Sequence, residues 1–135
     1  MADAYLALIG LTAWTLLLPL LYVGVYRVGL VLSFRKPANA WPRGAQHDDP
    51  PVIKRLHDAH MNCVENLPVF AAIVLAAALT EQMETVNQLA LWVLGLRVAQ
   101  GVTHLIGTSA ALVFVRANFY ILQMALFIWM LISLV

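Results

Sequence analysis

The chain alternates between four long apolar stretches and three polar connections. The apolar stretches cover about residues 5–34, 52–79, 86–106 and 111–134, and a helix of roughly 20 residues suffices to cross the hydrocarbon core of a bilayer. The second and third connections are short, "TEQMET" at 80–85 and "GTSA" at 107–110. Short connections join antiparallel neighbours, so the pattern predicts a single all-α integral membrane domain over 1–135, an up-down bundle of four transmembrane helices. Pro19 predicts a kink in the first helix.

The composition supports a membrane location and excludes several classes of function. Of the 135 residues, 62% are hydrophobic and 11% are charged, whereas soluble domains are about 45–50% apolar and ~25% charged. The net charge of +1 gives no indication of nucleic-acid binding. The single cysteine excludes an internal disulfide. The first residues lack the basic stretch of a signal peptide, so we expect the first helix to be retained.

The basic residues predict the orientation in the membrane. They concentrate in the first connection and its flanks: Arg35, Lys36, Arg43, Lys54 and Arg55. The second connection contains only acidic charges, Glu81 and Glu84. The positive-inside rule therefore predicts a cytoplasmic loop at 35–51, with both termini on the other side of the membrane. The expected location is the inner (cell) membrane.

The second helix carries polar residues where a bilayer-spanning helix should be apolar. At 100° per residue, Arg55, Asp58, Asn62 and Glu65 fall within a sector of about 80°. A carboxylate facing lipid costs several kcal/mol, so Glu65 is expected to face protein or a wet cavity. Arg97, on the third helix, is its expected partner. Such a pair could be a structural ion pair that fixes helix register or part of a pocket for a charged ligand, and the periodicity does not distinguish the two.

The histidines of the second helix and the single cysteine are weaker candidates for a functional site. His57 and His60 are three residues apart, but a metal site needs further ligands with good geometry, so we expect interfacial histidines and no metal. Cys63 points about 100° away from Asn62, which favours a small buried residue over a nucleophile.

The polar residues resemble the signatures of one family. "RLHDAHMNCVENLPVF" (55–70) resembles the helix-two signature of the MAPEG superfamily, membrane-associated proteins of eicosanoid and glutathione metabolism. That signature reads Arg-x-x-Arg-Ala-x-x-Asn-x-x-Glu, followed by Pro-x-Phe. It is matched here by Arg55, Ala59, Asn62, Glu65, Pro68 and Phe70. "RVAQGVTH" (97–104) and "RANFY" (116–120) are similar to the family's Arg-Val-Ala-His and Arg-Ser-x-x-Tyr. The chain resembles a bacterial-type member.

The resemblance implies a homotrimer with a site between neighbouring subunits, open to the cytoplasmic side. It implies that glutathione is the co-substrate, without metal or nucleic acid, and that a lipophilic second substrate arrives from the membrane lipids. The implied activity is that of a glutathione transferase or lipid-hydroperoxide peroxidase. Arg116 would be the catalytic residue, since a guanidinium can stabilise a thiolate. The residues implied to bind glutathione are Arg55, Asn62, Glu65, Arg97, His104 and Tyr120.

Three positions depart from the family pattern and leave other classes open. Asp58 replaces the second arginine of the signature, Met61 replaces an arginine found in some members, and His104 replaces a tyrosine of the eicosanoid type. An aspartate would repel the carboxylates of glutathione unless a nearby base such as Lys54 compensates. The alternative is therefore a non-catalytic, lipid-binding scaffold of the same family. An ion-conducting bundle is a third class that intramembrane charges permit, although no internal repeat favours it.

Overall fold

The chain folds into four long helices. The computed structural model describes residues 2–135, with helices α1 (Asp3–Leu32), α2 (Pro51–Leu79), α3 (Met83–Ile106) and α4 (Ala110–Ile132). Each helix is long and apolar enough to cross a membrane. The predicted all-α architecture of four spans is confirmed. The bounds differ from the predicted ones by at most three residues, the largest difference being the start of α3.

Helix α1 changes its hydrogen-bonding pattern at its internal proline. It is α-helical over Asp3–Pro19 and Val28–Leu32 but π-helical over Leu20–Arg27. Proline has no N–H to donate, and its ring crowds the preceding turn. A π-helix lengthens the repeat from i→i+4 to i→i+5. The turn before Pro19 nevertheless remains α-helical, and the π-helical segment begins directly after the proline.

The four helices pack around two apolar clusters. Helix α1 packs on α2 and α3, and α4 packs mainly on α3. The larger cluster lies towards the termini, where Ala4, Ala7 and Ala77 are fully buried. Small residues at these positions let the helix backbones approach closely, as is common between transmembrane helices. Phe70 and Phe127 stack there with ring centroids 5.9 Å apart. A smaller cluster around Leu18, Tyr22 and Leu56 lies near the first loop.

The first loop, residues 33–50, is tied to α1 by a charged contact. The Arg27 guanidinium lies 3.2 Å from Asp49 Oδ2, and the Trp41 indole N–H donates to Asp49 Oδ1 at 3.0 Å. The guanidinium also lies over the rings of Trp41 and Tyr22, at 5.3 and 5.4 Å from their centroids. We call Arg27, Trp41 and Asp49 the loop clasp.

The loop clasp makes Asp49 a stronger acid than usual. Burial raises the pKa of this carboxyl group, but the hydrogen bonds from Trp41 and Arg27 and the charges of Arg27 and Lys36 outweigh it, so the pKa is lowered. A carboxyl group with a lowered pKa stabilises the fold above its unfolded-state pKa. That contribution disappears as the pH falls through the folded-state pKa.

Replacing Asp49 should therefore loosen the loop in a pH-dependent way. We expect Asp49→Asn to lower stability at neutral pH by about 1–2 kcal/mol, because hydrogen bonds to a charged group are replaced by weaker ones. On acidification the stability of the wild type should approach that of the variant, because the Asp49 carboxylate becomes protonated. Melting curves in detergent across the acid range measure this. Asp48→Asn, at an exposed neighbour, is the matched control, and equal acid sensitivity of Asp49→Asn and wild type would contradict the prediction.

Candidate functional site

A groove of about 440 Å³ opens on the surface of the bundle between α2, α3 and α4. We call it the polar groove. Its lining residues are Asn62, Glu65, Gln100, Val113, Arg116, Ala117, Tyr120 and Ile121. Four of these, Asn62, Glu65, Arg116 and Tyr120, are predicted site residues that are far apart in the sequence. The structure brings them together in one groove.

The regular geometry of the helices explains this convergence. Asn62 and Glu65 are three residues apart on α2, and Arg116 and Tyr120 are four apart on α4. Residues at these spacings lie on the same side of a helix, one turn above the other. Gln100 and Arg116 lie six residues from the adjacent ends of α3 and α4, about 9 Å at 1.5 Å per residue. The polar groove therefore lies in the half of the bundle that carries the first loop.

Arg97 lies behind the polar groove rather than in its wall. It is 1% exposed, and its Nη1 donates to Gln100 Oε1 at 2.6 Å. Its Nη2 donates to Gln123 Oε1 on α4. Arg97 Nε is buried with no hydrogen-bond partner among the residues that the structure describes. The guanidinium is thus held by two side-chain amides, one of which lines the groove.

The expected ion pair between Glu65 and Arg97 is not formed. Glu65 is exposed on the side of α2 and takes part in none of the ion pairs present within residues 2–135. The guanidinium of Arg97 instead donates to Gln123 across the interface between α3 and α4. Glu65 and Arg116 therefore keep their charges available to a ligand.

Arg55 and His104 lie beyond the groove, at the seam between α2 and α3 near the first loop. Arg55 Nε donates to the carbonyl oxygen of Leu105 at 3.1 Å. His104 is 7% exposed, and its Nε2 is 3.8 Å from Asp58 Oδ2, too far for a hydrogen bond. Neither ring nitrogen of His104 has a hydrogen-bond partner within the described chain. Two positions that depart from the family signature, Asp58 and His104, thus face each other.

Gln100 and Gln123 were not among the predicted site residues, although the sequence around each contains a signal. Gln100 follows Arg97 by three residues and so shares its side of α3. Gln123 is an amide within the otherwise apolar second half of α4, and a polar side chain at membrane depth usually has a polar partner in the protein.

The histidines and the cysteine lie outside the polar groove. His60 Nδ1 is 3.0 Å from the carbonyl oxygen of Thr15, so His60 is more buried than the interfacial residue we expected, whereas His57 is exposed. Cys63 is a fully buried free thiol. Residues 2–135 contain no group of three metal-ligating side chains close enough to hold an ion.

The polar groove can bind a ligand that carries both charges. Glu65 offers a carboxylate to an ammonium group, and Arg116 offers a guanidinium to an anion. Asn62 and Gln100 add amide groups that can both donate and accept hydrogen bonds, and Tyr120 adds a hydroxyl group. This set suits a small zwitterionic ligand.

Fold and groove together define an integral membrane protein of four helices with a polar groove on the surface of the bundle. The model of the MAPEG family matches residues 5–135. The chain therefore belongs to the MAPEG family, and the resemblance found in its helix signatures is confirmed at this level. No curated protein and no solved structure matches the chain.

The contact of Arg97 with Gln123 should contribute measurably to stability. Gln123→Leu keeps the side-chain volume but removes an acceptor from a buried cation, so we expect a loss of about 2–3 kcal/mol. Gln123→Glu should retain stability because it supplies an acceptor and a neutralising charge. Gln88→Leu, at an exposed position of α3, is the control. Melting curves in one detergent compare all four proteins, and a Gln123→Leu protein as stable as the wild type would show that Arg97 does not depend on this amide.

Proposed function

We propose that this protein is a membrane-bound, glutathione-dependent transferase or peroxidase that acts on lipophilic electrophiles or lipid hydroperoxides. One observation carries the proposal. Asn62, Glu65, Arg116 and Tyr120 line one groove, and the family resemblance assigns these same residues to glutathione and its chemistry. The groove lies within the membrane-spanning part of a MAPEG family member.

Glutathione has charged groups that complement the polar groove. Its α-ammonium group would pair with the exposed carboxylate of Glu65, and its peptide groups would hydrogen-bond to Asn62. Arg97 is too buried to reach a ligand directly, so its charge would act through Gln100, which it contacts at 2.6 Å. Arg55, at the seam near the first loop, would hold a carboxylate end. The ring nitrogens of His104 are buried, so His104 would not contact the ligand directly.

The reaction requires the thiol in its anionic form. A free thiol has a pKa of about 8.5 and is mostly protonated at neutral pH. The guanidinium of Arg116 would favour loss of the proton to water and would hold the thiolate by a charge-assisted hydrogen bond. The thiolate can then attack an electrophilic carbon, forming a C–S bond as the leaving group departs. With a lipid hydroperoxide it attacks the terminal oxygen, and the O–O bond breaks to give a lipid alcohol and a sulfenic acid, which a second glutathione converts to the disulfide and water.

The second substrate would reach the groove from the bilayer. Val113 and Ile121 line the groove and are exposed on the surface of the bundle, as is Tyr120. Helix α4 buries the smallest share of its apolar span of the four helices, 11%. An apolar molecule dissolved in lipid could therefore contact the groove beside Tyr120, which would line its binding site.

We propose that the protein assembles as a homotrimer with the groove at the subunit interface. Glu65 is exposed on a single chain at membrane depth, and a carboxylate facing lipid is costly. A neighbouring copy that covers the groove would remove this cost. The mass of the particle in detergent, after subtraction of the bound detergent, should correspond to three chains, and a monomer that binds glutathione would exclude an intersubunit site.

The basic first loop supports a cytoplasmic orientation in the inner membrane. A cysteine introduced at Ala45, in a Cys63→Ser background, should be protected from a membrane-impermeant thiol reagent in intact cells. A cysteine at Gln82, in the second connection, should be labelled. The reverse pattern would place loop 33–50 outside.

Two substitutions test the proposed reaction with different expected effects. Arg116→Ala should lower kcat on the order of 10²–10³-fold with little change in glutathione affinity, because a preorganised charge at the reacting atom is lost. Glu65→Gln should mainly weaken glutathione binding, because the ligand's ammonium group loses its counterion. The rates are measured with glutathione and an aromatic electrophile, and glutathione affinity by calorimetry.

Controls distinguish loss of chemistry from loss of folding. Arg35→Ala removes a cation from the exposed first loop and should leave both rate and affinity unchanged. Melting curves of the same samples identify variants that are merely unstable. An Arg116→Ala protein that reacts as fast as wild type would exclude Arg116 as the catalytic residue.

A non-catalytic lipid-binding scaffold is the second candidate. The observation that favours it is Asp58, which places a carboxylate where the family signature has an arginine. A wild-type protein that shows no thiol chemistry with any electrophile, yet binds lipid, would establish this alternative.

A further inference from the structure

A second and larger cavity lies beneath the first loop. Its volume is about 1040 Å³, and it lies between loop residues 41–47 and the side chains of α1 and α2. It shares no lining residue with the polar groove. Because α1 and α2 both span the membrane, the loop that joins them lies at the bilayer surface. The cavity therefore opens where lipid headgroups are found.

Two positive charges in this cavity lack a counterion. Its fixed cations are Arg27, Arg43 and Lys54. Arg27 is neutralised by Asp49 in the loop clasp. Arg43 and Lys54 are exposed, and within residues 2–135 neither forms an ion pair or a side-chain hydrogen bond. Of the two acidic residues in the lining, Asp49 is paired with Arg27. Asp58 is exposed and forms no ion pair with a lysine or arginine among residues 2–135, so the fixed cations of the lining outnumber its carboxylates by three to two.

The beginning of α2 adds to the positive potential. The helix starts at Pro51 with no side-chain cap and no acidic residue in its first turn. The N-terminus of a helix carries a partial positive charge, which favours an anion and disfavours a cation nearby. Lys54 nevertheless lies in that first turn. An anion bound beside Lys54 would interact favourably with both the lysine and the N-terminus of the helix.

The rest of the cavity suits an amphiphile better than a small ion. Tyr22, Ile53 and Met61 give it an apolar side, and the indole ring of Trp41 lies at its edge, as tryptophans commonly do at a membrane surface. The volume slightly exceeds the range of roughly 300–1,000 Å³ that is typical of pockets for organic ligands.

We propose that this cavity binds the phosphate-bearing headgroup of an anionic phospholipid. The phosphate lies between Arg43, Lys54 and the first turn of α2, and the glycerol portion lies along Tyr22 and Met61. The bound lipid holds the first loop against α2, in addition to the attachment to α1 that the loop clasp provides. The lipid is a structural ligand, separate from the substrate of the polar groove, and the proposal does not depend on any catalytic activity.

Native mass spectrometry of the protein in a neutral detergent tests the proposal. Phosphatidylglycerol should bind in preference to phosphatidylcholine. Arg43→Gln and Lys54→Gln should each weaken phosphatidylglycerol binding about fivefold, and the double variant more than tenfold, as expected for cations near an anionic headgroup. Arg35→Gln makes the same change of charge on the same loop outside the cavity and should change binding less than twofold. Arg43 is an exposed loop residue, so its variant remains informative if Lys54→Gln fails to fold.

Several outcomes would overturn the proposal. Equal binding of the two lipids would exclude recognition of an anionic headgroup. An equal loss in Arg35→Gln would show a diffuse attraction to the loop rather than a site. Displacement of the lipid by inorganic phosphate would identify a soluble anion as the ligand, and displacement by glutathione would assign the cavity to thiol binding. Retention of lipid against both competitors supports the proposal.

Discussion

The constraint on which the site depends is the placement of a guanidinium inside an apolar bundle. Arg97 is almost completely buried, and an unpaired charge in such surroundings is costly. Two side-chain amides accept hydrogen bonds from the guanidinium: Gln100, one turn along the same helix, and Gln123 on α4. These contacts tie α3 to α4, fix the rotation of both helices, and place Gln100 in the wall of the polar groove. Because amides carry no charge, the positive charge of Arg97 persists behind the groove.

The choice of amides as partners leaves the carboxylate of Glu65 free. An Arg97–Glu65 pair would have neutralised both charges within one chain. Instead Glu65 and Arg116 remain on the groove surface without an ion pair among the described residues. Uncompensated charges at membrane depth need a ligand, water or a neighbouring chain. The same feature therefore supports both the ligand site and the covering subunit that we propose.

The helices could be predicted from the sequence far better than the contacts between them. Hydrophobic length sets where α2 and α3 end, and helical periodicity places Asn62 and Glu65 on one face, as the structure has them. Helical periodicity does not indicate with which neighbouring side chain a buried polar group forms a hydrogen bond. Arg97 has its partner 26 residues away, on a helix whose rotation depends on packing. The loop clasp was not predicted for a similar reason, since it joins Arg27 and Asp49 through an irregular loop.

The seam between α2 and α3 brings two departures from the family pattern together. Asp58 and His104 both differ from the residues that the family resemblance leads one to expect, and His104 Nε2 lies 3.8 Å from Asp58 Oδ2. This distance is too long for a hydrogen bond, and a neutral imidazole does not compensate a carboxylate. Asp58 would therefore repel an anionic ligand at the seam. The task of holding an anion then falls to Arg55 and Arg116, which flank the seam and the groove respectively.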